Sequence, residues 1–331
     1  MNDTLQAKLT LFTDNAQAIR KKFTWQNELT KRLAALLFAQ DNRAVDCDAI
    51  KQCHTLIKRN TGAFSFFRGN MTMCAAALLA LSPDPARLFQ ETLKVYALLK
   101  AERFRSSDFL VVSACQIAAR AGEDDYAPVV SRMRAFYDAM KARHFFLTGR
   151  DDYIYSAMLA LTELDVEVGA ARVEQLYNLL KGEFWGKNNV QALAQVLALG
   201  ASEDSAVQRV LELRDALRAE KIKLDKGYTL SALGILALLP VDTAAIVSDL
   251  AEVRAALRAV KGFGPLAVST QELLLFAVSL TADEYAAELR DGALAALSTG
   301  ITSIIIAQQA AMIAAISASS SAASSAAAAS S

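Results

Sequence analysis

An aspartate returns along this chain at a nearly fixed interval. Apolar stretches end in an acidic or proline-containing turn at Asp41, Asp84, Asp124, Asp165, Asp204, Asp242 and Asp283. The successive spacings are 43, 40, 41, 39, 38 and 41 residues. A period of that size marks helical-hairpin repeats, in which each unit must stack on its neighbours to bury its apolar face. Composition supports helices. Ala and Leu dominate, the 331 residues include only 5 Pro and 14 Gly, and the period-two alternation of strands is nearly absent.

Each unit reads as two helices. The first, helix A, is almost free of charge, as in 71–81 and 228–239. It should therefore be buried on most sides. The second, helix B, is amphipathic: Leu88, Thr92, Val95 and Leu99 share one face, with Arg87, Glu91 and Lys94 between them. Asp84 followed by Pro85 fits an N-cap and a first helical position, and Asp242 stands where an N-cap is wanted. Ser269-x-x-Glu272 and Thr281-x-x-Glu284 read as capping boxes. The recurrent aspartates thus have a structural explanation and are not read as catalytic.

The expected fold is all-α: about seven helical hairpins in an α/α superhelix or toroid, with an apolar C-terminal helix. The boundaries are an N-terminal helix in 1–23, the repeat domain in 24–291, the apolar helix in 292–316 and a Ser/Ala low-complexity tail in 317–331. The stretch 294–316 is long enough for a membrane span. It holds Gln308 and Gln309 and lacks aromatic or Lys anchors at its ends. A helix docked on protein, or one that mediates homo-oligomerisation, is the expectation there.

Lys and Arg number 35, and Asp and Glu number 35. A net charge near zero argues against nucleic acid and against a polybasic membrane-surface protein. The N-terminus lacks an apolar signal region. The four cysteines, Cys47, Cys53, Cys74 and Cys115, show no C-x-x-C spacing. A cytoplasmic protein with reduced thiols follows as the expectation, with no cofactor and no metal.

In a hairpin array the A-to-B turns lie at one end and the B-to-A joints at the other. The joints are the richer set. They are 62–70, 102–108, 143–153, 182–189, 223–229 and 261–270, and they combine aromatics with Arg, Lys, Asn and Asp. Such a mixture can hold a small polar ligand or a peptide. The candidate binding rim is Arg68, Asn70, Arg105, His144, Arg150, Asp152, Tyr153, Trp185, Lys187 and Asn189. Buried plugs between successive hairpins are the simpler role for Phe104, Phe145 and Phe184.

The joint KARHFFLTGRDDY, 141–153, is the richest. Thr148 reads as an N-cap, with Asp151 and Asp152 in the first turn, where negative charge suits the helix dipole. That account leaves His144 and Asp152 over, and a His–Asp pair is the functional reading. The run Met140-Lys141-x-x-His144-x-x-Leu147-Thr148-x-x-Asp151-Asp152-Tyr153, with the phrase LKAERFRSSDFLVVSACQIA before it, resembles a bacterial family catalogued as domain of unknown function 4003. The resemblance spans from about residue 10 to the end and implies no activity or catalytic residue. Two classes remain open: a scaffold that binds a small ligand or a protein or peptide partner at the rim, and a toroid-type, hydrolase- or lyase-like enzyme with acidic residues on that rim.

Overall fold

The computed structural model describes residues 1–200 and 203–288, and among them it is built of helices. The expected C-terminal helix, 292–316, and tail, 317–331, lie outside the described residues. The elements are α1 (Asp3–Lys22), α2 (Glu28–Gln40), α3 (Cys47–Asn60), α4 (Thr72–Leu81), α5 (Pro85–Ala101), α6 (Asp108–Arg120) and α7 (Tyr126–Arg143). They continue with α8 (Asp152–Ala160), α9 (Val166–Leu180), α10 (Lys187–Ala198), α11 (Glu203–Ala219), α12 (Thr229–Leu238), α13 (Thr243–Ala259) and α14 (Thr270–Glu288).

The even-numbered helices form the apolar layer. Every residue of α12 is buried, as is every residue of α8. Each buried Leu, Ile or Met there stabilises the fold by roughly 1.5–3 kcal/mol. Small residues let these helices approach closely. At Gly234 of α12 an added Cβ would meet Leu193 Cδ1 of α10 at 2.8 Å. The odd-numbered helices bury one stripe each, such as Phe89, Thr92, Val95 and Leu99 in α5.

Capping follows the aspartate period at three of its seven positions. Asp84 Oδ1 accepts from Arg87 N, Asp165 Oδ1 from Glu167 N and Val168 N, and Asp242 Oδ1 from Ala244 N. Ser269 and Glu272 form the expected reciprocal box, with Glu272 N donating to Ser269 Oγ and Ser269 N to Glu272 Oε2. A device the sequence did not disclose also recurs at these turns. Arg132 of α7 donates to the carbonyls of Ala160, Thr162 and Leu164, Arg172 of α9 to that of Gly200, and Arg209 of α11 to that of Val241. Each guanidinium thereby ties an outer helix to the turn of the next hairpin.

Two local expectations fail. Thr281-x-x-Glu284 is not a capping box, because α14 runs through it without a break. Asp283 is buried there and meets Lys8 of α1 rather than a backbone amide. Thr148 does not cap α8, which begins four residues later. The backbone of 144–148 first makes a turn, with Leu147 N and Thr148 N both donating to His144 O.

Helix α1 takes an outer position beside the last hairpin. It packs on α13, α14 and α2. Phe12 of α1 lies 5.4 Å from both Phe263 and Phe276, ring centre to ring centre. The N-terminal ammonium sits 2.8 Å from Asp249 Oδ1 of α13.

Candidate functional site

A series of contacts links the outer-to-inner joints, or the inner helices that follow them, from one unit to the next. Thr30 of α2 accepts from Cys74 Sγ of α4. The 3-10 turn Phe66–Arg68 packs on α6. Arg105 N donates to the Tyr153 hydroxyl. Gln191 Nε2 donates to Thr148 Oγ1. Trp185 and Lys226 form an isolated parallel β-bridge. Helix α12, which follows the joint of Lys226, packs on α14. Arg32 Nη2 of α2 donates to Gly262 O, which brings the last joint against the helix that follows the first.

Four of these joints each send one phenylalanine inward. Phe67, Phe104, Phe184 and Phe263 are buried. Phe104 stacks edge-on against Tyr153 at 4.9 Å and against Tyr137 at 5.8 Å. The plug role expected for Phe104 and Phe184 therefore holds. Phe145 departs from it, for it stands exposed beside Phe146, with the Lys141 ammonium 5.2 Å from its ring centre. The half-buried Leu147 packs against the core in that joint instead.

Asp152 is the acid around which the polar groups of this joint gather. It is buried, and its Oδ1 accepts from Gln191 Nε2 at 3.0 Å and Gln195 Nε2 at 2.6 Å. Its Oδ2 accepts from the Gly149 amide at 2.7 Å. Burial, reinforced by the neighbouring Asp151 charge, pushes its carboxyl up to about 7, against the pull of those three donors. Gln191 Oε1 and Gln195 Oε1 are buried beside it and find no donor among the described residues. Sequence reasoning missed both glutamines. The signal available was a pair of amides one turn apart in the otherwise apolar VQALAQVLA of α10.

His144 is not part of this cluster. Its Nε2 lies 2.5 Å from Glu174 Oε2 of α9, and its ring packs 4.5 Å from that of Tyr177. Helix α7 ends at Arg143, so its last turn aims His144 at the neighbouring outer helix while Asp152 turns inward. The expected His–Asp pair does not form. Arg68 folds back on its own joint, donating to the carbonyls of Lys58 and Thr61 and to Thr61 Oγ1. Asn70, Arg105, Arg150, Trp185 and Lys187 are exposed, and Asn189 sits half-buried against Gly186. Tyr153 is buried in the Phe104 stack.

Thiol chemistry has little support here. Burial pushes Cys74 and Cys115 up to about 12, far from the thiolate a nucleophile needs. Among the described residues no group of three or more His, Cys, Asp or Glu is placed to hold a metal, and no helix is long and apolar enough to cross a membrane.

The family model described as a protein of unknown function (DUF4003) matches residues 15–310. The chain belongs to that family. No curated protein and no solved structure matches it. The match takes in α2 to α14 whole, so the joints of the rim fall inside what this family shares as a domain.

Proposed function

We propose that this DUF4003 protein is a binding scaffold whose working surface is the rim of joints, and that its partner there is anionic. One observation carries the reading. Charge that cancels over the chain is sorted by end. The seven joints, taken with the last four residues of the helix feeding each, hold 19 Lys and Arg against 5 Asp and Glu. The six opposite turns, with the first four residues of the helix leaving each, hold 13 Asp and Glu against 2 Arg. Helix dipoles favour this sorting. They do not call for cations left without partners, and Arg59, Arg105, Arg150, Lys187, Lys226 and Lys261 have no carboxylate within ion-pair distance among the described residues. The returning series of joint contacts, with α1 packed on α13 and α14, supports a closed toroid over an open superhelix.

The test is retention on a heparin matrix, which probes for a polyanion site without naming the partner. The variant Arg105→Glu/Lys187→Glu/Lys226→Glu should elute at much lower salt than wild type. A variant with the same change of net charge away from the rim, Lys51→Glu/Arg87→Glu/Lys94→Glu, should elute later than the rim variant. Equal elution of the two would overturn the reading.

A second reading rests on Asp152. A carboxyl near 7 suits general acid–base work, which would make the protein a hydrolase- or lyase-like enzyme. Loss of a measured turnover in Asp152→Asn, with the fold intact, would favour it over the scaffold.

A further inference from the structure

We infer that the rim docks on an anionic lipid bilayer, with the ring of exposed aromatic and aliphatic side chains entering the headgroup region. The inference rests on the rim reading above and names its partner. Its observation is separate from the charge. Nine large hydrophobic side chains are exposed among the described residues, and seven of them stand on the outer-to-inner joints. Trp25 is 98% exposed, Phe64 102%, Phe146 93%, Trp185 90% and Leu266 106%. They come from five different joints, on segments that join α1 to α2, α3 to α4, α7 to α8, α9 to α10 and α13 to α14.

Three features select a bilayer over other anionic partners. Side chains exposed this fully rest in no groove of their own, so a folded partner would have to bring a separate pocket for each. A fluid interface supplies that accommodation everywhere at once. The apolar groups are single residues or pairs on five separate joints, with cations on the same joints, rather than one contiguous patch of the kind that marks a protein interface. Trp and Phe with Lys and Arg are also the residues that interfacial proteins place at the boundary of headgroup and acyl chain. The cations would meet the negative potential of the leaflet, and the acidic turns would face away from it. The neutral overall charge, which argued against a polybasic membrane-surface protein, is an average over two opposite ends.

The chain supplies its own probes. Its only two tryptophans, Trp25 and Trp185, both stand on the rim. The full chain is mixed with vesicles of equimolar phosphatidylglycerol and phosphatidylcholine, and with vesicles of phosphatidylcholine alone. With the anionic vesicles, tryptophan emission should shift to the blue, brominated lipids should quench it, and high salt should reverse both. Phe64→Ser/Phe146→Ser/Leu266→Ser keeps both tryptophans and removes no buried contact. It should partition at least about tenfold more weakly, whereas Val168→Ser/Leu179→Ser on α9 should match wild type. Unshifted tryptophan emission on anionic vesicles would overturn the bilayer assignment. So would equal partitioning to phosphatidylcholine alone, or co-sedimentation that the triple variant retains. Heparin retention that depends on the rim, together with unshifted emission, would leave the rim reading standing and this one fallen. Tight, rim-dependent binding of an oligonucleotide or an acidic protein would then name the partner instead.

Discussion

Lys8 Nζ lies 2.6 Å from Asp283 Oδ2, across 275 residues of sequence, with both side chains buried. Glu284 Oε2 is 3.3 Å from the same ammonium. One cation thus faces two carboxylates between the first helix and the last described one. Breaking a buried pair from one side leaves uncompensated charge and costs about 3–5 kcal/mol, whereas removing both partners is often close to neutral. Lys8→Met should therefore lower stability to denaturant by that amount. Lys8→Met/Asp283→Leu should be less damaging than the sum of its single variants. Additive single effects in the double-mutant cycle would show that the pair is not coupled.

Asp152 makes stability depend on pH in a direction opposite to that of an ordinary salt-bridged aspartate. Its folded carboxyl is raised to about 7 from the usual 3.8. The native state therefore holds a proton that the unfolded state releases. Unfolding becomes easier as pH rises from about 4 to 7, and the dependence is flat on either side. The full shift corresponds to about 4 kcal/mol at most. Asp152→Asn cannot ionise, so its melting temperature should lose this component of the pH profile, while retaining an oxygen for the Gln191 and Gln195 donors. A variant whose profile overlays that of wild type between pH 4 and 7 would mean that the carboxylate is not the titrating group.

Two hydroxyls that look alike in sequence should behave differently. Ser107 Oγ accepts from Leu110 N at the start of α6 and so caps a helix. Thr148, the expected cap of α8, instead accepts from Gln191 Nε2 at 3.3 Å, and Gln191 keeps a shorter bond to Asp152 without it. Ser107→Ala should lower stability by about 1 kcal/mol. Thr148→Ala should cost less than about 1 kcal/mol, because no helix amide loses its acceptor. A larger loss at Thr148 than at Ser107 in urea melts would reverse this assignment.

What could be read beforehand divides along a physical line. Helices A and B, the caps at Asp84 and Asp242, and the chemical difference between the two ends are set by residues a few positions apart. Periodicity and local spacing report such features directly. The errors arose where partners are distant in sequence. Asp283 looked like one more turn because nothing near it reveals Lys8. His144 and Asp152 looked paired because the capping account left both over, yet the turn between them sends one outward to Glu174 and the other inward to α10. Phe145 and Phe184 have the same local setting, and only packing shows that one is exposed and the other is a plug. The even charge count concealed the sorting of charge by end, since counting ignores position.

Arg132 offers the last test, on the device that the sequence hid. Its guanidinium donates from Nε to Ala160 O at 3.2 Å and from Nη2 to Thr162 O and Leu164 O, each at 2.8 Å. The carbonyls at the end of α8 have no amide ahead of them in the helix, and a half-buried carbonyl left without a donor is costly. Lysine brings the same charge but only a single nitrogen on a flexible stem, so it cannot span donors as a planar fork does. Arg132→Lys should therefore destabilise by about 1–2 kcal/mol even though charge is conserved, and Arg132→Met by more. Surface-exposed Arg59→Lys serves as the reference and should be neutral. Were Arg132→Lys as stable as wild type, charge alone would hold the turn, and the multiple-carbonyl geometry of Arg132 would carry no weight in joining α7 to the hairpin that follows.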